Sequence, residues 1–157
     1  MRTDVLRSLA VPLDGGARLR GQPVFGANKT WRGVVVMTGS TAFSGGVQAA
    51  LARRLHWRFA MELQRSARVK PWLAGAFCGA AYVLAELPNS FIKRRLGIAP
   101  GARAIRRGQL QYVVDQADSV AGCLIPLRLV YGSSRAELLT AFGLGLAIHV
   151  AIDAARA

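Results

Sequence analysis

Acids are scarce in this sequence. Eight Asp and Glu residues face 21 Lys and Arg, for a net charge of +13. Any acid set in an apolar stretch therefore needs a reason to be there. Cysteine is scarcer still. Cys78 and Cys123 both lie inside apolar segments without metal-type spacing, so they read as small core residues. The Gly-x4-Gly-Lys-Ser/Thr pattern of a P-loop is absent, which excludes that route to nucleotide binding. The apolar stretch Leu9 to Leu13 is too short for a signal-peptide core, so the chain is expected to enter the membrane directly. The sequence shows neither an internal repeat nor a low-complexity segment.

Charge is also missing over long runs. Gly33 to Ala52 carries none and is bracketed by Arg32 and Arg53, while Trp72 to Ile92 carries only Glu86 and Leu138 to Ile152 none. Hydrophobic residues make up 52% of the chain and the mean hydropathy is +0.28. A nucleic-acid binder spreads its basic residues along a face or tail and lacks such runs, so nucleic acid is not the expected partner. A helix that spans a bilayer needs about 20 mostly apolar residues. The first two runs meet that length, and the third does so if it extends to Ala155 past Asp153. A fourth candidate, from Val113 or Ser119 to Tyr131, is weakened by Arg128. The predicted fold is an all-α, polytopic integral membrane helical bundle of about four transmembrane helices, forming a single domain over 1–157. The glycine and alanine of the runs suit close helix packing in lipid.

Between the runs the sequence is basic. Residues 1–32 are polar and glycine-rich, with turn signals at Asp14-Gly15-Gly16, Pro12 and Pro23, and are expected to be irregular. Residues 53–71 interleave Leu55, Trp57, Phe59, Met61 and Leu63 with arginines. Leu51, Leu55, Phe59 and Leu63 also share helical spacing, which predicts a short interfacial helix. Residues 93–112 form a second basic loop with a Pro-Gly turn at 100–101. With four spans, the N-terminal segment, the 93–112 loop and the C-terminus share one side, which holds thirteen of the 21 Lys and Arg. The positive-inside rule places that side in the cytoplasm, and with it the active face of a protein in the cytoplasmic (inner) membrane.

Four constellations carry possible chemistry. Glu86, Ser90, Lys93 and Arg94 fall at i, i+4, i+7 and i+8, one face of a helix that Pro88 interrupts. An acid inside a span should face the bundle interior with a partner. The basic triplet Lys93-Arg94-Arg95 reads equally as a headgroup anchor. Asp115 and Asp118, at i and i+3, would share a helix face. Such a pair suits Mg2+, which takes hard oxygen ligands, and it also suits a helix N-terminus, where acids favour the dipole. "FGANKTWRG", Phe25 to Gly33, offers turn amides with Lys29 and Arg32 to phosphate oxygens, or anchors a span through Trp31. His149 and Asp153, at i and i+4, read as a hydrogen-bonded pair, with a proton or phosphate role as the other reading. Acids and bases on one membrane face with no obvious nucleophile fit phosphoryl or nucleotidyl transfer, where positioning and charge neutralisation dominate.

"FGANKTWRG", "SFIKRR" and "DQADSVAG", in that order and after "PLDGG" at 12–16, resemble the motifs of the CDP-archaeol synthase family. The last is also similar to the Asp-Arg-x-Asp-Ser of the related phosphatidate cytidylyltransferases. The resemblance covers residues 12 to 153. It implies a membrane-embedded, CTP-dependent cytidylyltransferase that joins a lipid phosphate (phosphatidate or an ether-lipid phosphate) to CTP, releasing pyrophosphate, with Mg2+ as cofactor. By matching position, Asp115 and Asp118 would hold Mg2+, and Glu86, where the family usually has Asp, would add or orient a ligand. Lys93 would join the two aspartates in catalysis. Lys29, Thr30, Arg32, Ser90, Arg94 and Arg95 would contact CTP or the lipid phosphate. The family usually has a further hydrophobic helix before "PLDGG" and an asparagine where Asp153 stands. A homodimer would complete a bundle that lacks that helix. The alternative is a catalytically degenerate scaffold that binds anionic lipid headgroups through its basic loops.

Overall fold

The uncharged runs form helices that extend slightly past the run at each end. A computed structural model describes residues 6–100, 102 and 108–155. The first run becomes α1 (Trp31–Arg54), which Thr30 caps by accepting a hydrogen bond from the Gly33 N–H at 3.2 Å. The basic segment after it folds into a short helix, α2 (Arg58–Ser66), where the interfacial helix is expected. The second run is α3 (Pro71–Arg95), with Pro71 in its first turn, where a missing N–H costs nothing. The third is α5 (Arg135–Ala154), opened by a reciprocal capping box between Ser134 and Glu137.

The fourth candidate is a full helix, α4 (Gly108–Tyr131), longer than the sequence pattern indicates. Arg128 does not interrupt it. It sits in the last turn, and its Nη1 donates to the carbonyls of Gly132 and Ser133 at 3.0 and 2.7 Å. A cation there satisfies carbonyls that the helix end leaves open. The N-terminal segment is also more ordered than expected. A 3-10 turn at Arg7–Leu9 precedes a two-stranded antiparallel hairpin, β1 (Arg18–Leu19) and β2 (Gln22–Pro23). The expected Pro-Gly turn at 100–101 lies partly outside the described residues.

Consecutive long helices pack antiparallel, in the order α1, α3, α4, α5. The contacts are close because small residues face each other. A Cβ on Gly75 of α3 would collide with the Thr41 carbonyl of α1, and one on Gly79 with the Thr41 hydroxyl. On the next seam, a Cβ on Gly122 of α4 would collide with the Ala85 Cβ of α3. Among the described residues, the buried apolar ones are Ala49, Ala52, Ala74, Val83 and Val130, while Phe43 and Leu139 are 75% and 72% exposed. Small residues inside and large apolar residues outside reverse the order of a water-soluble core, and fit helices whose outer faces meet lipid. Of the four long helices, α1 and α5 are long and apolar enough to cross a membrane. Helices α3 and α4 match them in length, with Glu86 in α3 and Asp115 and Asp118 in α4 set among apolar residues.

The segment before α1 is tied back on itself. The Leu13 N–H donates to the Lys29 carbonyl at 2.8 Å, and the Trp31 N–H to the Val11 carbonyl at 3.0 Å. Asp14 organises the turn between them. Its carboxylate accepts from the N–H groups of Gly16 and Phe25 at 2.9 Å each and from Gly26 at 3.4 Å. Partial burial would raise its pKa, but these backbone hydrogen bonds outweigh that and hold it below the ordinary 3.8.

Two outcomes follow from this packing. Gly75→Ala should destabilise the protein by about 1–3 kcal/mol through overpacking. Gly39→Ala, where a Cβ would meet nothing within 4 Å, should leave it unchanged or slightly more stable. Thermal midpoints in one detergent separate the two. Because the Asp14 pKa is lowered on folding, its stabilisation is full above the ordinary value and is lost as pH falls through the folded one. The protection factors of the Phe25 and Gly26 amides should therefore fall on acidification, and Asp14→Asn should flatten that response.

Candidate functional site

The antiparallel stacking brings the N-terminal end of α1, the C-terminal end of α3 and the N-terminal half of α4 to one end of the bundle. There the scarce acids converge. A pocket of about 150 Å³ is lined by Lys29, Glu86, Asn89, Ser90, Lys93, Asp115 and Asp118. Lys29 reaches it from the turn that Asp14 holds, because its backbone is pinned through both the Leu13 N–H and the Gly26 carbonyl. Glu86, Asn89, Ser90 and Lys93 come from successive turns of α3, on the shared face that their spacing predicts. Helix α3 runs on through Pro88.

Four of the five charges in the pocket pair with one another. Lys29 Nζ forms an ion pair with Glu86 Oε2, and Lys93 Nζ with Asp115 Oδ1. The Ser119 hydroxyl, 1% exposed, donates to Glu86 Oε1 at 2.9 Å and lies 3.0 Å from Asp118 Oδ1, which also accepts the Ser119 N–H. Ser119 thus couples the α3 acid to the α4 acids. Asn89 completes the group. Its Nδ2 donates to Asp115 Oδ1 at 2.7 Å and to Asp118 Oδ2 at 2.8 Å.

Glu86 therefore faces the same pocket as Asp115 and Asp118, with both its oxygens engaged by Lys29 and Ser119. The two aspartates sit in the interior of α4, several residues past Gly108, with no acid in the first turn. The helix-dipole reading of this pair does not hold. Among the described residues, no group of three or more His, Cys, Asp or Glu side chains is placed to hold a metal ion together. What the pocket offers is two carboxylates close enough to share one Asn89 nitrogen. That donor set fits a magnesium ion, which uses one or two carboxylates and completes its shell with water and substrate phosphates.

The other predicted residues lie around this centre. Ser90 is buried at the pocket wall. Arg94, 5% exposed, turns to the Phe25–Gly26 side, where a Cβ on Gly26 would come within 3.7 Å of its Nη1. Among the described residues, its Nε and Nη1 have no hydrogen-bond partner. A buried guanidinium with open donors is costly unless an anion joins it. Thr30 uses its hydroxyl as the α1 cap, and Arg32 is exposed on the first turn of that helix. Arg95 points away from the pocket. Its guanidinium donates to the carbonyls of Leu19, Gln22 and Pro23 and stacks over Phe91, clamping the hairpin to α3.

His149 does not pair with Asp153 as its spacing indicates. Its ring nitrogens face Gln116 Oε1 at 3.1 Å and the Tyr82 hydroxyl at 3.2 Å, fixing α5 to the two helices that carry the acids. Asn89, Ser119, Tyr82 and Gln116 are absent from a reading guided by charge. For Asn89 and Gln116 the signal was position, since one stands between Glu86 and Lys93 and the other between the aspartates.

Comparisons with known proteins identify the family. A family model, the CarS-like CDP-archaeol synthase, matches residues 4–153. A CDP-archaeol synthase of Hyperthermus butylicus is 33% identical over 147 residues, covering 92% of this chain and 75% of the relative. One from Halobacterium salinarum is 32% identical over 142 residues, covering 90% of this chain and 70% of its own length. No solved structure matches. The match spans the pocket, the hairpin and all four long helices, and the chain belongs to the CDP-archaeol synthase family.

Proposed function

We propose that this protein is a CTP-dependent cytidylyltransferase that converts a membrane-lipid phosphate to a CDP-lipid. One observation carries the reading: two lysines, two aspartates and a buried arginine with open donors meet at one end of an apolar bundle. The relatives bear the name CDP-archaeol synthase, which favours an ether-lipid phosphate as acceptor. The pocket groups are suited to phosphates and not to the glycerol linkage, so phosphatidate is the second acceptor to test. In this reading the four long helices span the membrane, with the pocket at its cytoplasmic face.

The reaction asks little covalent chemistry of the protein. An oxygen of the lipid phosphate attacks the α-phosphorus of CTP. The bond from that phosphorus to the oxygen shared with the β-phosphate breaks, and pyrophosphate leaves with the electron pair. The attacking monoester is already anionic near neutral pH, so no side chain has to take its proton. Bringing two anions together is the difficulty, and positioned positive charge is the remedy. Lys29, Lys93 and Arg94 supply that charge. Glu86 and Ser119 hold Lys29 and Asp118 in register, and Asn89 keeps the two aspartates together. Mg2+, held by Asp115 and Asp118, would neutralise the triphosphate.

Purified protein with CTP, Mg2+ and either archaeol phosphate or phosphatidate should form the CDP-lipid, detected by mass spectrometry. Asp118→Asn should lower kcat/KM by about 100-fold or more, the scale of losing one preorganised electrostatic group. CTP and Mg2+ binding without turnover on either lipid would instead make the chain a degenerate scaffold. Glu86→Gln should cost about 10- to 100-fold, as for groups that orient a ligand. Combined with Lys29→Ala it should cost little more, because the two residues act as a pair. Additive losses in that double variant would contradict the assigned positioning role.

A further inference from the structure

A second cavity, larger than the polar pocket, lies elsewhere in the bundle. It is a groove of about 640 Å³ at the opposite end of the bundle, between the C-terminal half of α1, the first turns of α3 and the end of α4, with α2 laid across it. Along α3 its lining ends at Cys78, eight residues before Glu86, or about 12 Å along the helix axis. The groove and the polar pocket are separate sites. Its apolar lining includes Leu51, Leu55, Trp57, Phe59 and Leu63, each between 41% and 70% exposed. The volume is in the range of small-ligand sites.

The rim has the opposite character. Arg53, Arg54, Arg58, Arg65, Arg68 and Lys70 are all exposed, and Glu62 is the one acid between residues 51 and 70. Helix α2 divides the two characters: Phe59, Ala60 and Leu63 line the groove, and Arg58, Glu62 and Arg65 do not. The positive-inside rule favours few cations at the end away from the cytoplasm. Six in this one segment, beside an open apolar groove, call for an anionic partner with an apolar body.

We propose that this groove binds an anionic membrane phospholipid, with one alkyl chain in the groove and the headgroup on the basic 53–70 segment. The bound lipid would hold α2 onto the three long helices. It is a resident lipid, apart from any substrate at the polar pocket. Each methylene removed from water or from loose contact adds to its hold, and the exposed cations select its headgroup.

Trp57 makes the proposal testable. The full chain carrying Trp31→Phe and Trp72→Phe keeps Trp57 as its tryptophan reporter. It is placed in phosphatidylcholine nanodiscs with rising fractions of phosphatidylglycerol brominated on its chains. Trp57 fluorescence should be quenched at low fractions and saturate. Brominated phosphatidylcholine should quench several-fold less at equal fraction, and unbrominated phosphatidylglycerol should relieve the quenching. Arg65→Gln with Arg68→Gln and Lys70→Gln should erase the headgroup preference, and the matching Arg→Lys changes should keep it. Quenching that rises linearly for both lipids would show that the groove meets only bulk bilayer and overturn the proposal. So would protection from all bromolipids that disappears on dilution, which would mean a second copy of the chain covers it. Neither CTP nor turnover enters the readout, so this result and the cytidylyltransferase reading fail independently.

Discussion

A carboxylate inside an apolar helix cannot be left without a partner, and the rest of this structure is arranged around that constraint. Glu86 is the one acid between Trp72 and Ile92. Its two oxygens meet Lys29, from the segment before α1, and Ser119, from α4. Those two contacts draw three separate parts of the chain to one place. Asp14 then shapes the turn that delivers Lys29, and Asn89, one turn along α3, draws Asp115 and Asp118 toward the same point. Satisfying one half-buried charge and building one polar pocket are the same event here.

Helices α1, α3 and α5 were legible because charge is nearly absent from their central runs, and an apolar run of about 20 residues has the length of a bilayer-crossing helix. Helix α4 was underrated because Arg128 reads as an interruption until its reach to the Gly132 and Ser133 carbonyls is seen. The shared face of Glu86, Ser90 and Lys93, and that of Asp115 and Asp118, follow from helical spacing alone. Partners from other helices do not. His149 points to Gln116 and Tyr82 and not to Asp153, because α5 presses that face onto α4, and no local spacing encodes this. The hairpin at 18–23 lacks the alternation of a strand pair. Its carbonyls are gathered by Arg95, a residue more than seventy positions away, which the family resemblance implied was a phosphate contact.

The molecule is built with two unlike ends. One gathers acids and lysines into a small polar pocket, with a buried arginine beside it. The other opens a larger apolar groove beneath a basic rim. Between them, glycines at 75, 79 and 122 let the helices approach so closely that a single added methyl would collide. That tight middle keeps the two ends distinct and holds the polar pocket to one geometry, which a reaction catalysed by position and charge requires.

The central claim is that the pocket transfers the cytidylyl group, and the fate of labelled phosphorus tests it most directly. Parallel reactions would contain the protein, a lipid phosphate, Mg2+, and CTP labelled at either the α- or the γ-phosphorus. Cytidylyl transfer predicts that the α-label enters the lipid in step with CTP consumed, while the γ-label is recovered entirely as pyrophosphate. Label from the γ-position in the lipid, or CTP hydrolysis with no label in the lipid, would contradict it.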